Sequence, residues 1–296
     1  MLRRTMPIRF VYSERYRESG STVMRGQQLS EIGKRALPQR NIGYVSLEAE
    51  PRNSLLFLTK GALKAMTMSK LESLRSAGNK LIFDVVDEVP PPITRDYAHV
   101  VSAASITAYL DLSADFPHLP VHLVNHHVDP RLSTISAPPP TDKLRCAYFG
   151  ESVNAILSPA VMREVTVVHI DTSRQDADWL PRLEAFNFHY AVRAHRDLDH
   201  HKPFLKGFTA AHRGSNILIQ STQTEAVRWL GTDYPYLIAG EATETKILAA
   251  LDYARESFGH SEWMDGLARM RDIRERTSNQ RIGGELAALF ALAELT

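Results

Sequence analysis

The chain has 296 residues and a formal charge of +1 with histidines neutral, so no global field draws it onto nucleic acid or anionic lipid. Its 44% hydrophobic and 23% charged content exclude a disordered or collagen-like chain and fit a globular protein, with length for two domains of about 150 residues each. A single cysteine, Cys146, excludes an internal disulfide and fits a reducing cytoplasm.

The N-terminal "MLRRTMPIRFVYSE" lacks the apolar core of a signal peptide, and no apolar run reaches the roughly 20 residues that cross a bilayer. A cytoplasmic location is expected, with membrane association only through substrate or partners. The run at 8–14 reads as a strand, and "RESGSTVMRGQQLSEIGKRA" (17–36) as a polar turn entering a helix. Strand-like runs follow at 41–48 and 54–61. "ALKAMTMSKLESLRSAG" (62–78) reads as one helix ending at Gly78, and "NKLIFDVVDE" (79–88) as a buried strand with an acidic end. After a triple proline, "HVVSAASITAYLDLSADF" carries a strand into a helix, and 121–129 is one more strand.

"PRLSTISAPPPTDK" (130–143) is rich in proline, serine and threonine and reads as a linker. Strands at 144–151, 165–173, 186–193 and 215–222, then a shorter one at "PYLIAG", alternate with helices in the second half. The last 35 residues read as one helical stretch, with acidic residues interrupting its basic face. This alternation predicts an α/β protein with parallel sheets covered on both faces. The joint divides it into an N-terminal domain (1–130), a linker (131–143) and a C-terminal domain (144–296). In such folds ligands sit at the carboxyl ends of strands, so the cleft between the two sheets is the expected site.

Three patterns in this order resemble bacterial glycosyltransferases of the GT-B fold, which have two Rossmann-like domains facing a cleft. "SGSTVMRGQQL" (19–29) is similar to the first loop and helix of their acceptor domain. "LRCAYFGES" (144–152) is similar to the strand and glycine turn that open their nucleotide-sugar-binding domain. "YAVRAHRDLDHHKPFLKGFTAAHRGSNILIQST" (190–222) is similar to their donor segment, where an arginine and helix-borne lysines meet the diphosphate. The resemblance implies a glycan or glycoconjugate acceptor, surface-polysaccharide synthesis, and a final helix that crosses back to the N-terminal domain. The chain departs from the common retaining pattern, because His201 and Thr209 stand where those enzymes carry two glutamates.

A nucleotide-sugar donor leaves as a diphosphate, and a transferase working without metal or other cofactor must neutralise that charge with cations and helix N-terminal N–H groups. Arg193 at a strand end and Lys202 and Lys206, four apart on an expected helix entered through Pro203, suit this role. Both lysines equally suit a solvated helix face. Gly150, Ser221 and Thr222 complete the donor set; Ser221 and Thr222 alternatively cap the next helix, with Glu225 the capping-box partner of Thr222 or a ribose ligand. The adjacent His200 and His201 lack metal-ligand spacing, so no metal is expected.

For the acceptor, Gly20 and Ser21 mark a turn where backbone approaches a sugar, and Arg25 lies one turn into the same helix. Asp87 stands as a general base, beside Asp84 and Glu88, or else caps a turn. His126 orients a hydroxyl or belongs to a polar strand-end turn. Two other readings fit the pattern: a nucleotide-sugar epimerase or hydrolase, and a carbohydrate-binding relative without catalysis.

Overall fold

The computed structural model describes residues 5–171, 177–194 and 199–296, which form two compact units. Residues 172–173 of the strand expected at 165–173, and 195–198 of the donor segment, lie outside the described residues.

The first unit comprises Met1–His127, His201–Pro203 and Ser278–Thr296. Its sheet contains β1 (Ile8–Tyr12), β2 (Ile42–Ser46), β3 (Leu55–Leu58), β4 (Lys80–Val85), β5 (Val100–Ala103) and β6 (Val121–Leu123). The order is β2-β1-β3-β4-β5-β6, with every pairing parallel. Period-two alternation explains the two buried faces. Ile8, Phe10, Leu55 and Phe57 pack with Leu286 and Phe290 of the last helix, while Val11, Leu56 and Leu58 pack with Leu71 and Leu74 on the other side. A β-carbon on Gly283 would stand 2.4 Å from that of Ala36, so the last helix needs glycine there to approach the first helix.

The second unit comprises Val128–His200 and Phe204–Thr277. It holds β7 (Cys146–Gly150), β8 (Thr166–His169), β9 (Phe188–Tyr190), β10 (Asn216–Gln220) and β11 (Leu237–Ile238). The order is β11-β10-β9-β7-β8, again parallel throughout. The proline-rich segment is hydrogen-bonded into this unit: Arg213 donates to Ala137 O at 2.7 Å and Asn187 Nδ2 to Pro140 O at 2.8 Å. Trp263, on the helix Ser261–Arg276, packs its ring against Phe188 and Tyr236.

Two predicted helices are each divided. The stretch 62–78 forms Lys60–Lys64 and Met68–Ser76, because Thr67 adopts an extended backbone and its hydroxyl accepts from Lys70 N. The last 35 residues form Ser261–Arg276 and Asn279–Leu295, since Ser278 is likewise extended and caps Arg281 N. That break separates a helix of the second unit from one of the first. No helix among the described residues is long and apolar enough to cross a membrane.

Candidate functional site

In each open parallel sheet a crevice forms where the strand order reverses, outside the carboxyl ends of the strands. In the second unit β8 lies on one side of β7 and β9 on the other, so the reversal falls at Gly150 and just after Tyr190. Gly150 has φ +149°, a backbone conformation that favours glycine. A β-carbon there would stand 2.7 Å from Lys206 Nζ and 3.0 Å from the Tyr148 hydroxyl. Lys206 donates to Phe149 O, and its ammonium lies 4.4 Å from the centre of the Tyr148 ring. Tyr148 escaped the sequence analysis. Its signal was the two-residue spacing to Gly150, which turns both residues to one face of β7.

Arg193 follows β9 by three residues and pairs with Asp199. Lys206 and Arg193 thus stand at the carboxyl edge of one sheet, Lys206 in the first turn of the helix Leu205–His212. Lys202 does not share that helix. The residue before a proline is disfavoured in helical backbone, so Lys202 precedes the helix and groups with the first unit, correcting the expected i, i+4 pair. His201 accompanies it, with Nε2 3.0 Å from Asp111 Oδ2, and Thr209 sits half-buried on the helix.

Ser221 accepts from Gly240 N at 2.8 Å and so braces a neighbouring loop. The helix Thr224–Leu230 is entered through Gln223 without a side-chain cap, so neither Ser221 nor Thr222 caps it. Glu225 is buried and accepts from Trp229 Nε1 at 2.9 Å, one helical turn away, which replaces the expected capping box.

In the first unit, Gly20 is exposed and Ser21 half-buried at the start of the helix spanning 20–36. A wide π turn, Val23–Gln28, turns Arg25 and Gly26 inward. Arg25 is fully buried, which corrects its expected place against a ligand. Its guanidinium donates to Asp84 Oδ1 at 2.6 Å, to Val124 O at 2.8 Å and to Ser102 Oγ at 3.3 Å. A buried guanidinium requires such a partner set. Burial pushes the Asp84 carboxyl upward, and Arg25 opposes it.

Asp87 lies just beyond β4 and pairs with Lys60 at 2.6 Å. Glu88 bridges Lys60 and Lys64 at 2.8 and 2.7 Å; desolvation works to raise its carboxyl, and the two lysines outweigh it. Lys60, Lys64 and Glu88 border a cavity of about 140 Å³ walled by Val86, Val89 and Pro90. Sequence reasoning saw the acids but missed Lys60, which comes from the next-door strand turn.

His126 is buried, with Nδ1 3.0 Å from His127 O. Burial, then the Arg25 charge, lower its pKa to about 3. A group held neutral that firmly is a poor proton acceptor near neutrality, so His126 acts as a neutral hydrogen-bonding ring. The last helix braces the preceding residue: Glu285 accepts from Asn125 N at 2.7 Å and from Asn125 Nδ2 at 2.8 Å.

No protein-family model matches the sequence, and no curated protein matches it. Solved structures do. A structure of Anabaena HepE in complex with UDP-glucose superimposes with a TM-score of 0.64 at 11% identity, covering 97% of this chain and 99% of that one. A glycosyltransferase from Rickettsia africae gives 0.63 at 8% identity, over 98% and 99%. The pneumococcal O-GlcNAc transferase GtfA in complex with UDP and GlcNAc gives 0.57 at 8% identity, over 84% of this chain and 59% of that one. The chain therefore has the two-domain α/β fold of these glycosyltransferases.

Proposed function

We propose that the protein is a glycosyltransferase that moves a sugar from a nucleotide-sugar donor to a glycan or glycoconjugate acceptor. The observation that carries this reading is the positive-φ glycine at the strand reversal, with Lys206 over it. A side chain at position 150 would close the space that Lys206 and Tyr148 border, and a leaving diphosphate needs close backbone approach and cations. HepE, of similar length and fold, was crystallised with UDP-glucose, which favours a nucleotide-sugar donor.

In this mechanism Lys206 and Arg193 bind the diphosphate and neutralise the charge that develops as the glycosidic bond breaks, without a metal ion. Asp87, at the carboxyl edge of the first sheet, takes the proton of the acceptor hydroxyl, and Lys60, paired with it, holds the carboxyl in place. The buried Arg25–Asp84 pair and Glu285 keep the segment around His126 in place. Gly20 and Ser21 border the acceptor, and the setting is cytoplasmic synthesis of a bacterial surface polysaccharide.

The test is a thermal-shift panel of UDP, GDP, ADP, TDP and CMP, then turnover of the matching nucleotide sugar with and without glycan acceptors. Acceptor-dependent release of the diphosphate is expected. Turnover without acceptor would turn the assignment to an epimerase or hydrolase, and no stabilisation by any nucleotide would sink it.

A further inference from the structure

The last residue of β10, Gln220, is 2% exposed, and its side-chain amide pairs with the peptide of another residue, Arg193. Arg193 N donates to Gln220 Oε1 at 3.3 Å, and Gln220 Nε2 donates to Arg193 O. The main-chain ladder between β9 and β10 has its last residue pair at Tyr190 and Leu218, and one more backbone bond runs from Ala191 N to Leu218 O. Beyond that point the Gln220 amide offers Arg193 one donor and one acceptor, as a continuing strand would.

The amide's orientation is itself fixed. Gln223 Nε2 donates to Gln220 Oε1 at 2.8 Å and to Ala191 O at 3.0 Å. Its N–H contact requires the oxygen of Gln220 on that side, which leaves the nitrogen to face Arg193 O. Two glutamines three residues apart thus grip the 191–193 segment from the neighbouring strand end.

We infer that Gln220, oriented by Gln223, is a positioning residue that holds the Arg193 backbone so that its guanidinium meets the donor diphosphate. The inference rests on the donor-site reading above. Glutamine suits the task because it alone, with asparagine, carries both halves of a peptide's hydrogen-bonding set, and its length spans from one strand end to the next. An apolar residue of equal length would leave the Arg193 N–H and C=O without these partners in a half-buried place and let the arginine wander.

The experiment is a double-mutant cycle read by calorimetric titration with UDP, using wild type, Gln220→Met, Arg193→Ala and the double variant, each checked by thermal melting. Gln220→Met is expected to weaken UDP binding roughly tenfold, as lost orientation of a charge-assisted contact would. In the Arg193→Ala background the same change is expected to have no further effect on UDP. If Gln220→Met does not fold, Gln223→Met enters the same cycle, with a smaller loss expected. Unchanged UDP affinity in Gln220→Met, or an equal loss with and without Arg193, overturns the inference alone. A merely structural glutamine would lower the melting temperature and leave UDP affinity intact. Absence of binding by every nucleotide of the panel in the wild type, or binding indifferent to Arg193, overturns the donor-site reading and this inference with it.

Discussion

Lys206 and Gly150 depend on each other: a β-carbon on Gly150 would stand 2.7 Å from the Lys206 ammonium. The lysine fills the space that the missing side chain leaves, against the Tyr148 ring. Gly150→Ala meets two obstacles, the contact and a φ of +149° that alanine resists. Backbone strain of this kind costs about 1–3 kcal/mol. Differential scanning calorimetry is expected to register that loss. If Lys206 meets the diphosphate as proposed, UDP titration is expected to show binding weaker by at least tenfold. Lys206→Ala should lose a similar amount of binding, about 1–3 kcal/mol, with little loss of stability. Equal UDP affinity in both variants and wild type would contradict the assignment.

The buried Arg25–Asp84 pair predicts an asymmetry between single and double substitutions. Both side chains are fully buried and 2.6 Å apart. Removing one partner strands a charge, which costs about 3–5 kcal/mol. Arg25→Met and Asp84→Leu are each expected to lower the urea midpoint strongly, while the double variant recovers much of the loss. The exposed pair Arg255–Glu164 is expected to contribute no more than about 1 kcal/mol. A double variant as unstable as the sum of the singles would refute this account.

Most of the layout was legible in the sequence because strand runs here are apolar on both faces and bounded by glycine, proline or polar residues. All eleven strands among the described residues fall within the predicted runs, and Gly78 ends its helix at φ +76°. What escaped was decided by single residues acting locally or across distance. Thr67 and Ser278 broke helices because a hydroxyl cap competes with continuing the helix. Pro203 withdrew Lys202 from the helix that carries Lys206. Arg25 reads as a cation on a helix, and only the fold brings Asp84, 59 positions away, to its guanidinium. Gln220 carries no signal at all in the sequence, since its partner lies on another strand and is a main-chain group.

Buried histidines predict the acid side of the stability profile. His189 lies against Phe149 in the second unit's core, ring centres 5.3 Å apart and tilted, with Nε2 unpartnered among the described residues. Burial, then the Lys206 and Arg213 charges, lower its pKa to about 3, and burial lowers that of His212 to about 4. These folded-state values lie below the ordinary 6.5, so the unfolded chain binds protons first as pH falls. Their contribution is therefore full above about pH 7 and declines from 6.5 to about 3 for His189 and to about 4 for His212, by roughly 1.4 kcal/mol per pH unit for each. Urea unfolding at pH 7.5 and pH 5 measures the slope. His189→Phe is expected to flatten it by one histidine's share, and an unchanged slope would remove His189 from the account.

Asp87, proposed as the base at the end of β4, predicts a separation of chemistry from donor binding. Asp87 and Lys60 form a half-buried pair at 2.6 Å, next to the cavity that Glu88 borders. If Asp87 takes the acceptor proton, Asp87→Asn keeps the shape and the hydrogen bond but removes the base. A fall in kcat of about 10²–10⁴-fold is expected, with UDP affinity and melting temperature near wild type. Lys60→Met should act through Asp87, by freeing its carboxyl to move. Its kcat is therefore expected to fall, by less than in Asp87→Asn, with UDP affinity near wild type. Full activity in Asp87→Asn would return the base to another group of the first unit, and wild-type kcat in Lys60→Met would make that ion pair purely structural.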